Sequence, residues 1–522
     1  MTINRREFIV LAAGSAATLA LGSENKSSEN KSSENNNGSL VHEGPNGRLV
    51  YVPDAKGNTI PDFSNAGYGG GGTAIPGPPN VAEVAPGAGD ATARIQAAID
   101  KASQLPLGAN GFRGAVLVRK GRYPVGGSLN ITASGVVLRG EGAGEDGTVL
   151  IATGKEQRTL IKISGSDQTT RHSSRAVVDA YVPVGARKLR VDSTEKLKIG
   201  DSVMVMRKGN DAWLHEIGMD RITPRPGHPE STRNWSPFAL EFDRVITGMN
   251  ADTIEVDAPI TCAIETPWGG GEVRSYENPG RISQVGIEDL RGDSEFDRSI
   301  KAQEKGQTYF ADEDHAVTLI AIDQAVNAWV RRVSAVHFNH ACVSVGKDAK
   351  WVTVEDCACT DMVSQITGER RYAFEVLGQL VLVRSCTADT ARHSFVVGAR
   401  VCGPNVFLDC KAGVQYATSE PHHRWSVGGL YDNVRADIAL QDRQWMGSGH
   451  GWAGANYVAW NCEGSLVCQK PPTAQNYAIG QVGRMDPGAF ERPTGYWESF
   501  GKHVLPHSLY AKQLEERLRA QR

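Results

Sequence analysis

Six ring side chains recur along the second half of this chain, and they are residue types that move protons. His315, His340, Tyr372, His393, His423 and His450 open the runs HAVTLI, HACVSV, YAFEVL, HSFVVG, HRWSVG and HGWAGA, and a further run, QNYAIG, starts at Gln475. The intervals are 25, 32, 21, 30, 27 and 25 residues. Imidazole titrates near neutral pH and serves as a general base or acid. Among the rings stand Arg371, Arg392, His422 and Arg424, with Glu375 close behind Tyr372. Arginine forks bind carboxylates bidentately, and Trp425, Trp445 and Trp452 offer flat apolar faces. The pattern predicts acid–base chemistry on a carboxylated substrate. In it His422, His393 or His423 is the base, Tyr372 is base or acid, and Arg392 stabilises developing charge. Arg371, Arg424, Glu375, Trp425, His450 and Trp452 are the expected binding residues.

Recurrence at this period implies one supersecondary unit per copy. A second ladder supports that: WVTVEDC, LVLVRSC, NVFLDC, GLYDN and YVAWNC end at Cys357, Cys386, Cys410, Asn433 and Cys462. Two strand runs in fixed order, without helical periodicity, define a coil. Stacked coils place like residues above one another at about 4.8 Å. The expected fold is therefore all-β, a parallel β-helix. Strand alternation then assigns faces. The ring residues share parity with the apolar residues two and four places on, as His393 does with Phe395 and Val397. The stripe should point inward as a buried polar ladder, above all at His315 and His340. The opposite parity carries Asp314, Asn339, Arg371, Arg392, His422, Arg424 and Glu375 to solvent, which makes His422 the leading base.

The chain has 522 residues and a net charge of −3, so it lacks the basic excess of a nucleic-acid binder. Its nine cysteines are an odd count, and four of them fall on the second ladder as small core residues, not as a disulfide framework. Residues 1–22 pair Arg5-Arg6 with an apolar run from Ile9 to Leu21, the pattern of a twin-arginine export signal, which directs the chain to the periplasm or beyond. That run is too short to span a membrane. Residues 23–39 are a low-complexity polar tether. Residues 40–480 form the expected β-helix domain, opened by a helix that Asp90 caps and that carries Ile95, Ala98, Ile99 and Ala102. Residues 170–275 break the rhythm and read as a β-barrel-like insertion, with Trp213, His215, Arg221, His228 and Trp235 in one long loop. Residues 481–522 end in an amphipathic helix bearing Leu509, Leu514 and Leu518.

The stretch GDATARIQAAIDKA, followed by GAVLVRKGRYPVGGSLNITASGVVLRGEG, resembles the opening of pectate-lyase-like right-handed β-helix proteins. The resemblance implies a single right-handed rod with an N-terminal capping helix. It is nearly silent about chemistry, because such proteins include lyases, hydrolases, epimerases and phage depolymerases. The rod together with the Arg and His cluster points to an acidic polysaccharide as substrate, with polysaccharide lyase, polygalacturonase-type hydrolase and non-catalytic glycan-binding or cell-surface rod as the readings to separate. The Arg and His row favours β-elimination: a base takes the C5 proton of a uronate whose carboxylate an arginine neutralises. Hydrolysis needs two spaced carboxyl groups. The run SGHGWAG at His450 is similar to a polygalacturonase Gly-His-Gly, with Asp409, Asp432 and Asp442 as the nearest carboxylates, but the companion Asn-x-Asp and Arg-x-Lys motifs are missing. No zinc signature occurs. The acidic runs Asp312-Glu313-Asp314 and Glu288 to Asp297 could bind Ca²⁺.

Overall fold

The computed structural model describes residues 39–521. The expected export signal and nearly all of the tether lie outside the described residues. Three parallel sheets wind into a right-handed β-helix. The first sheet runs rung by rung from Gly114–Val118 through Lys350–Glu355, Leu382–Arg384, Cys402–Leu408 and Ser426–Asp432 to Tyr496–Glu498. The third stacks Leu129–Ile131, Thr159–Ser164, Thr318–Asp323, Ala341–Val345, Tyr372–Val376, His393–Val397 and Glu420–Pro421. A second sheet of short strands, including Ala358–Thr360 and Thr387–Ala388, lies between them in the chain. Parallel pairing continues to Glu498, so the rod reaches past the expected limit at residue 480.

Val, Ile and Phe side chains from all three sheets fill the interior, with Phe374 stacked on Phe395 at 5.7 Å. All nine cysteines are buried and free. Cys357, Cys386 and Cys410 belong to this core, as small residues on a ladder should. The helix Thr92–Ser103 closes the first coils. Asp90 accepts the Thr92 and Gly126 N–H groups at 3.2 and 2.9 Å, and Ile95, Ile99 and Ala102 are fully buried. Among the described residues, no helix is long and apolar enough to cross a membrane.

Residues 40–84 form a strap along the outer face of the first sheet. Gly67 donates its N–H to the Leu380 carbonyl, and a Cβ there would lie 3.0 Å from Thr353 Oγ1. The strap ends as the strand Asn80–Val84, paired with Gly114–Val118. The C-terminal helix Leu509–Ala520 locks the other end. Gln513 accepts from Phe63 N–H, Arg517 donates to the Ser64 and Gly70 carbonyls, and Asp432 accepts from Ser508 Oγ and Tyr510 N–H.

The strand Thr159–Ser164 stacks directly on Thr318–Asp323, and Val136–Arg139 on Ile282–Ser294, so the residues between 164 and 282 are an insertion between coils. Six of its eight strands form an antiparallel sheet, Tyr181–Val182 pairs with Ile264–Glu265, and the bridge Val177–Val191, just beyond the two edge strands, closes the sheet as a small barrel. Barrel and rod share one apolar seam. Trp213 meets Trp425 edge to face at 5.1 Å, and Cys402, Val427, Trp452 and Ala455 complete the contact.

Candidate functional site

The ring residues converge, but not as one stripe. His340, Tyr372 and His393 stand at the starts of successive rungs of the third sheet. His423 and His450 do not continue that row. Their runs lead into Ser426–Asp432 and Gly454–Ala455, which belong to the first sheet. The gap is bridged by His422, which follows the last third-sheet strand. Its ring centroid lies 5.1 Å from Tyr372, 4.7 Å from His393, 5.2 Å from His423 and 5.0 Å from His450. His340 extends the group, 5.0 Å from Tyr372.

Loops and the insertion set these positions. Arg424 and Trp425 adopt left-handed backbone angles, with φ of 57° and 59°, and turn the chain sharply after His423. His450 sits on the loop between Asp442 and Trp452. Trp235 of the insertion donates its indole N–H to the Gly449 carbonyl at 3.0 Å, and Arg233 N–H bonds the Ser448 carbonyl at 3.2 Å. Gly447 must be glycine: at φ 59°, an added Cβ would lie 2.0 Å from His450 Cε1.

Glu420, His422 and Tyr372 form a chain. His422 Nδ1 is 2.9 Å from Glu420 Oε1, and His422 Nε2 is 3.1 Å from Tyr372 Oη. Arg443 Nη1 lies 2.7 Å from Glu420 Oε1, 2.7 Å from the His422 carbonyl and 2.8 Å from His422 Nδ1. Two tautomers fit. With Nδ1–H given to Glu420, Nε2 accepts the phenol proton; with Nδ1 accepting from Arg443, Nε2–H donates to Tyr372. Either way Tyr372 and His422 share one proton. Burial, then Arg443, holds the His422 imidazole far below its ordinary range, and burial pushes the Tyr372 phenol up. Burial also takes His393 down to about 3, His423 to about 4 and His450 to about 2, with neighbouring arginines adding to the effect. His393, His422, His423 and His450 are therefore neutral at pH 7. Arg392 lies 5.8 Å from the Tyr372 ring centre. Glu375 accepts from Ser344 Oγ at 2.7 Å and lies 3.3 Å from His340 Nε2. Burial pushes its carboxyl up, but His340 outweighs that and holds it below the usual range.

His393 Nε2, His423 Nδ1, Arg424 Nε, Arg443 Nε and His450 Nδ1 are buried here without hydrogen-bond partners. The two guanidinium nitrogens can only donate. The group therefore has donors to offer a ligand oxygen. His393, Glu420 and His422 each present a metal-ligand atom within 4.8 Å of the others. The Arg443 guanidinium already supplies the positive charge beside Glu420.

No family model and no curated protein matches the chain. Similar solved structures include the tailspike gp61 of Pseudomonas phage phi297, at 13% identity over 75% of this chain and 57% of that one, with a TM-score of 0.46. The polygalacturonase from Erwinia carotovora ssp. carotovora aligns at 10% identity over 82% of this chain and 98% of its own, TM-score 0.40. The Streptococcus pneumoniae surface protein and adhesin PfbA aligns at 9% over 80% and 87%, TM-score 0.36. The chain spans little more than half the length of the phage tailspikes it matches, 57% and 56% for two of them. At these identities the likeness is one of fold, and the site stands on its own geometry.

Several expected placements differ. His422, expected in solvent, is 7% exposed. Arg371, expected as a surface carboxylate binder, is 1% exposed. It donates to the Ser364, Thr390 and Phe310 carbonyls, and burial pushes its guanidinium down to about 10. Its φ of 58° interrupts the alternation on which the outward assignment rested. Trp425 and Trp452 are not open sugar platforms. Both are buried in the seam with the insertion, at 1% and 2% exposure. His315 is buried as expected, held by Ser294 Oγ and the Val363 carbonyl, whereas His340 is half-buried and joins Glu375. Arg392 and Arg424 are half-buried beside the rings, bonded to the Thr367 carbonyl and Ser448 Oγ. Asp409, Asp432 and Asp442 do not gather at His450: Asp432 lies under the C-terminal helix and Asp442 pairs with Arg492. In the acidic runs, Glu288 pairs with Arg139 and Arg331, Asp289 with Arg332, and Glu313 with Arg370. Glu420 and Arg443 were not among the expected site residues. Glu420 is signalled by its place two residues before His422. Arg443 lies in an irregular loop, and nothing in its neighbourhood marks it.

Proposed function

We propose that the chain is an exported enzyme that cleaves an acidic, uronate-containing polysaccharide by β-elimination at Tyr372 and His422. The shared Tyr372–His422 proton, flanked by Arg392, Arg424 and Arg443, carries this reading. An arginine pairs with the uronate carboxylate and so acidifies the C5 proton. In the tautomer whose Nε2 accepts from Tyr372, His422 takes the phenol proton as Tyr372 takes the proton from C5; the bound uronate carboxylate offsets the guanidinium charge that otherwise opposes an imidazolium there. The C5–H electron pair forms the C4–C5 double bond as the C4–O bond breaks, and the pair returns a proton to the leaving oxygen. Export rests on the Arg5-Arg6 segment. Hydrolysis is the second reading. Glu375 and Glu420 sit two rungs apart on one face, on the order of 9–10 Å between Cα atoms, near the spacing of inverting carboxylates. It is weaker, because hydrolysis needs one carboxyl held protonated and Glu375 is held ionised.

The test is a panel of uronate polymers assayed for ultraviolet absorbance of an unsaturated uronate end. Wild type is expected to produce it, and Tyr372→Phe and His422→Gln to lose about 10²–10⁴-fold in rate while staying folded. Reducing ends without absorbance would establish hydrolysis. Binding without cleavage would leave a glycan-binding rod.

A further inference from the structure

A cleft of about 410 Å³ separates the insertion barrel from the rod. On the rod side it is lined by the turns that follow the third-sheet strands, at Lys347, Leu377 and Arg400. On the barrel side it is lined by Arg171, Phe238 and Tyr276. We propose that this cleft is a second saccharide subsite, which holds an anionic sugar unit of the polymer while the Tyr372–His422 pair acts on another. The proposal rests on the acidic-polysaccharide reading above and extends it to a cleft beyond the catalytic group, which meets that group at Arg424.

The observation behind it is a pair of like charges that no carboxylate bridges. Among the described residues, no carboxylate pairs with Arg400 or Arg424. The two guanidiniums are close enough that Arg424, after burial, lowers the Arg400 pKa. Such an arrangement is costly until an anion enters. The Arg400 guanidinium also lies 4.1 Å from the Phe238 ring centre, which places a flat apolar wall beside it. An acidic sugar offers both complements, a carboxylate for the fork and a C–H face for the ring.

The acidic groups of the cleft are mostly committed. Asp243 is 2.9 Å from both Arg281 and Lys350. Asp348 accepts from Gln324 at 3.0 Å, and burial with Asp323 pushes its carboxyl up, toward the neutral form. Glu241 is the remaining carboxylate, against Arg171, Lys347 and Arg400. The cleft also connects to the catalytic group through successive coils. Arg400 N–H bonds the Arg424 carbonyl at 3.1 Å, and Arg424 N–H bonds the His450 carbonyl at 3.0 Å. The turns at Leu377 and Ala399 stand at the far ends of the strands that begin at Tyr372 and His393, roughly 17 Å away at 3.3 Å per residue. A polymer can occupy both places; a very short oligosaccharide cannot.

The experiment compares kcat/KM on a cleaved uronate polymer with that on the shortest cleaved oligosaccharide, for wild type, Arg400→Ala and Arg400→Lys. The ratio of polymer to oligosaccharide should fall about tenfold in Arg400→Ala, the loss of one charge-assisted contact, and less in Arg400→Lys. Affinity electrophoresis in gels containing the polymer, run on Tyr372→Phe with and without Arg400→Ala, should show the same weakening without turnover. If wild type cleaves the polymer and Arg400→Ala leaves both the ratio and the retardation unchanged, the subsite is wrong and the elimination site stands. An equal loss on both substrates would also overturn it. If the polymer panel is neither bound nor cleaved, the acidic-polysaccharide reading fails and the subsite fails with it.

Discussion

His393, His423 and His450 are kept neutral because burial and nearby guanidiniums both oppose protonation. This has a cost in acid. Their folded pKa values lie below the unfolded value near 6.5, so between about pH 6.5 and pH 4 the unfolded chain binds more protons and stability falls as pH falls. Each such histidine contributes up to about 1.4 kcal/mol per pH unit within its window. Asp432 opposes them. Burial raises its carboxyl to about 7, so its contribution is lost as pH rises toward neutrality. Three histidines outweigh one aspartate. Urea unfolding at pH 7 and pH 5 should show the lower midpoint at pH 5, with a smaller difference in His393→Gln. A midpoint that is unchanged or higher at pH 5 would show that these rings are not held neutral. The residue types were legible in the sequence and their faces were not. A left-handed residue such as Arg371 or Arg424 reverses strand parity locally, and neither is glycine or asparagine, the types that announce such a turn.

At the scale of elements, the site depends on a loop that the strand pattern does not encode. Residues between Asp442 and Trp452 bring Arg443 against Glu420 and His450 against His422, and the insertion grips them through Trp235 and Arg233. Gly447→Ala should displace the His450 imidazole and lower catalytic rate on the order of 10–100-fold. Holding an alanine in this left-handed backbone should also lower thermal stability, so the rates are compared on the folded fraction. A fully active Gly447→Ala enzyme would remove His450 from the working group. The insertion's strands were readable from their alternation with polar turns. Its role as a clamp was not, because the contacts join residues more than two hundred positions apart. The six-copy repeat was likewise only partly sound. The runs at His423 and His450 share the motif but enter a different sheet, so spacing alone joined two rows into one.

On the scale of the whole molecule, the rod was legible from two interleaved ladders and from the capping segment after Asp90, because stacked coils impose a period that local propensity and core packing both obey. The strap and the C-terminal helix were harder to place. Gly- and Pro-rich residues 40–84 carry no periodicity, yet they run along the first sheet and are pinned by Gln513 and Arg517. Together they hold a rigid scaffold on which one proton, shared by Tyr372 and His422, faces a set of unpartnered donors. The most direct test of that account is the mass spectrum of oligosaccharides released from a uronate polymer in heavy-oxygen water. β-Elimination predicts an unsaturated end, a mass lower by one water than the hydrolytic product, and no solvent oxygen in the fragments. Heavy oxygen incorporated at the new reducing end would contradict it and assign the chemistry to hydrolysis.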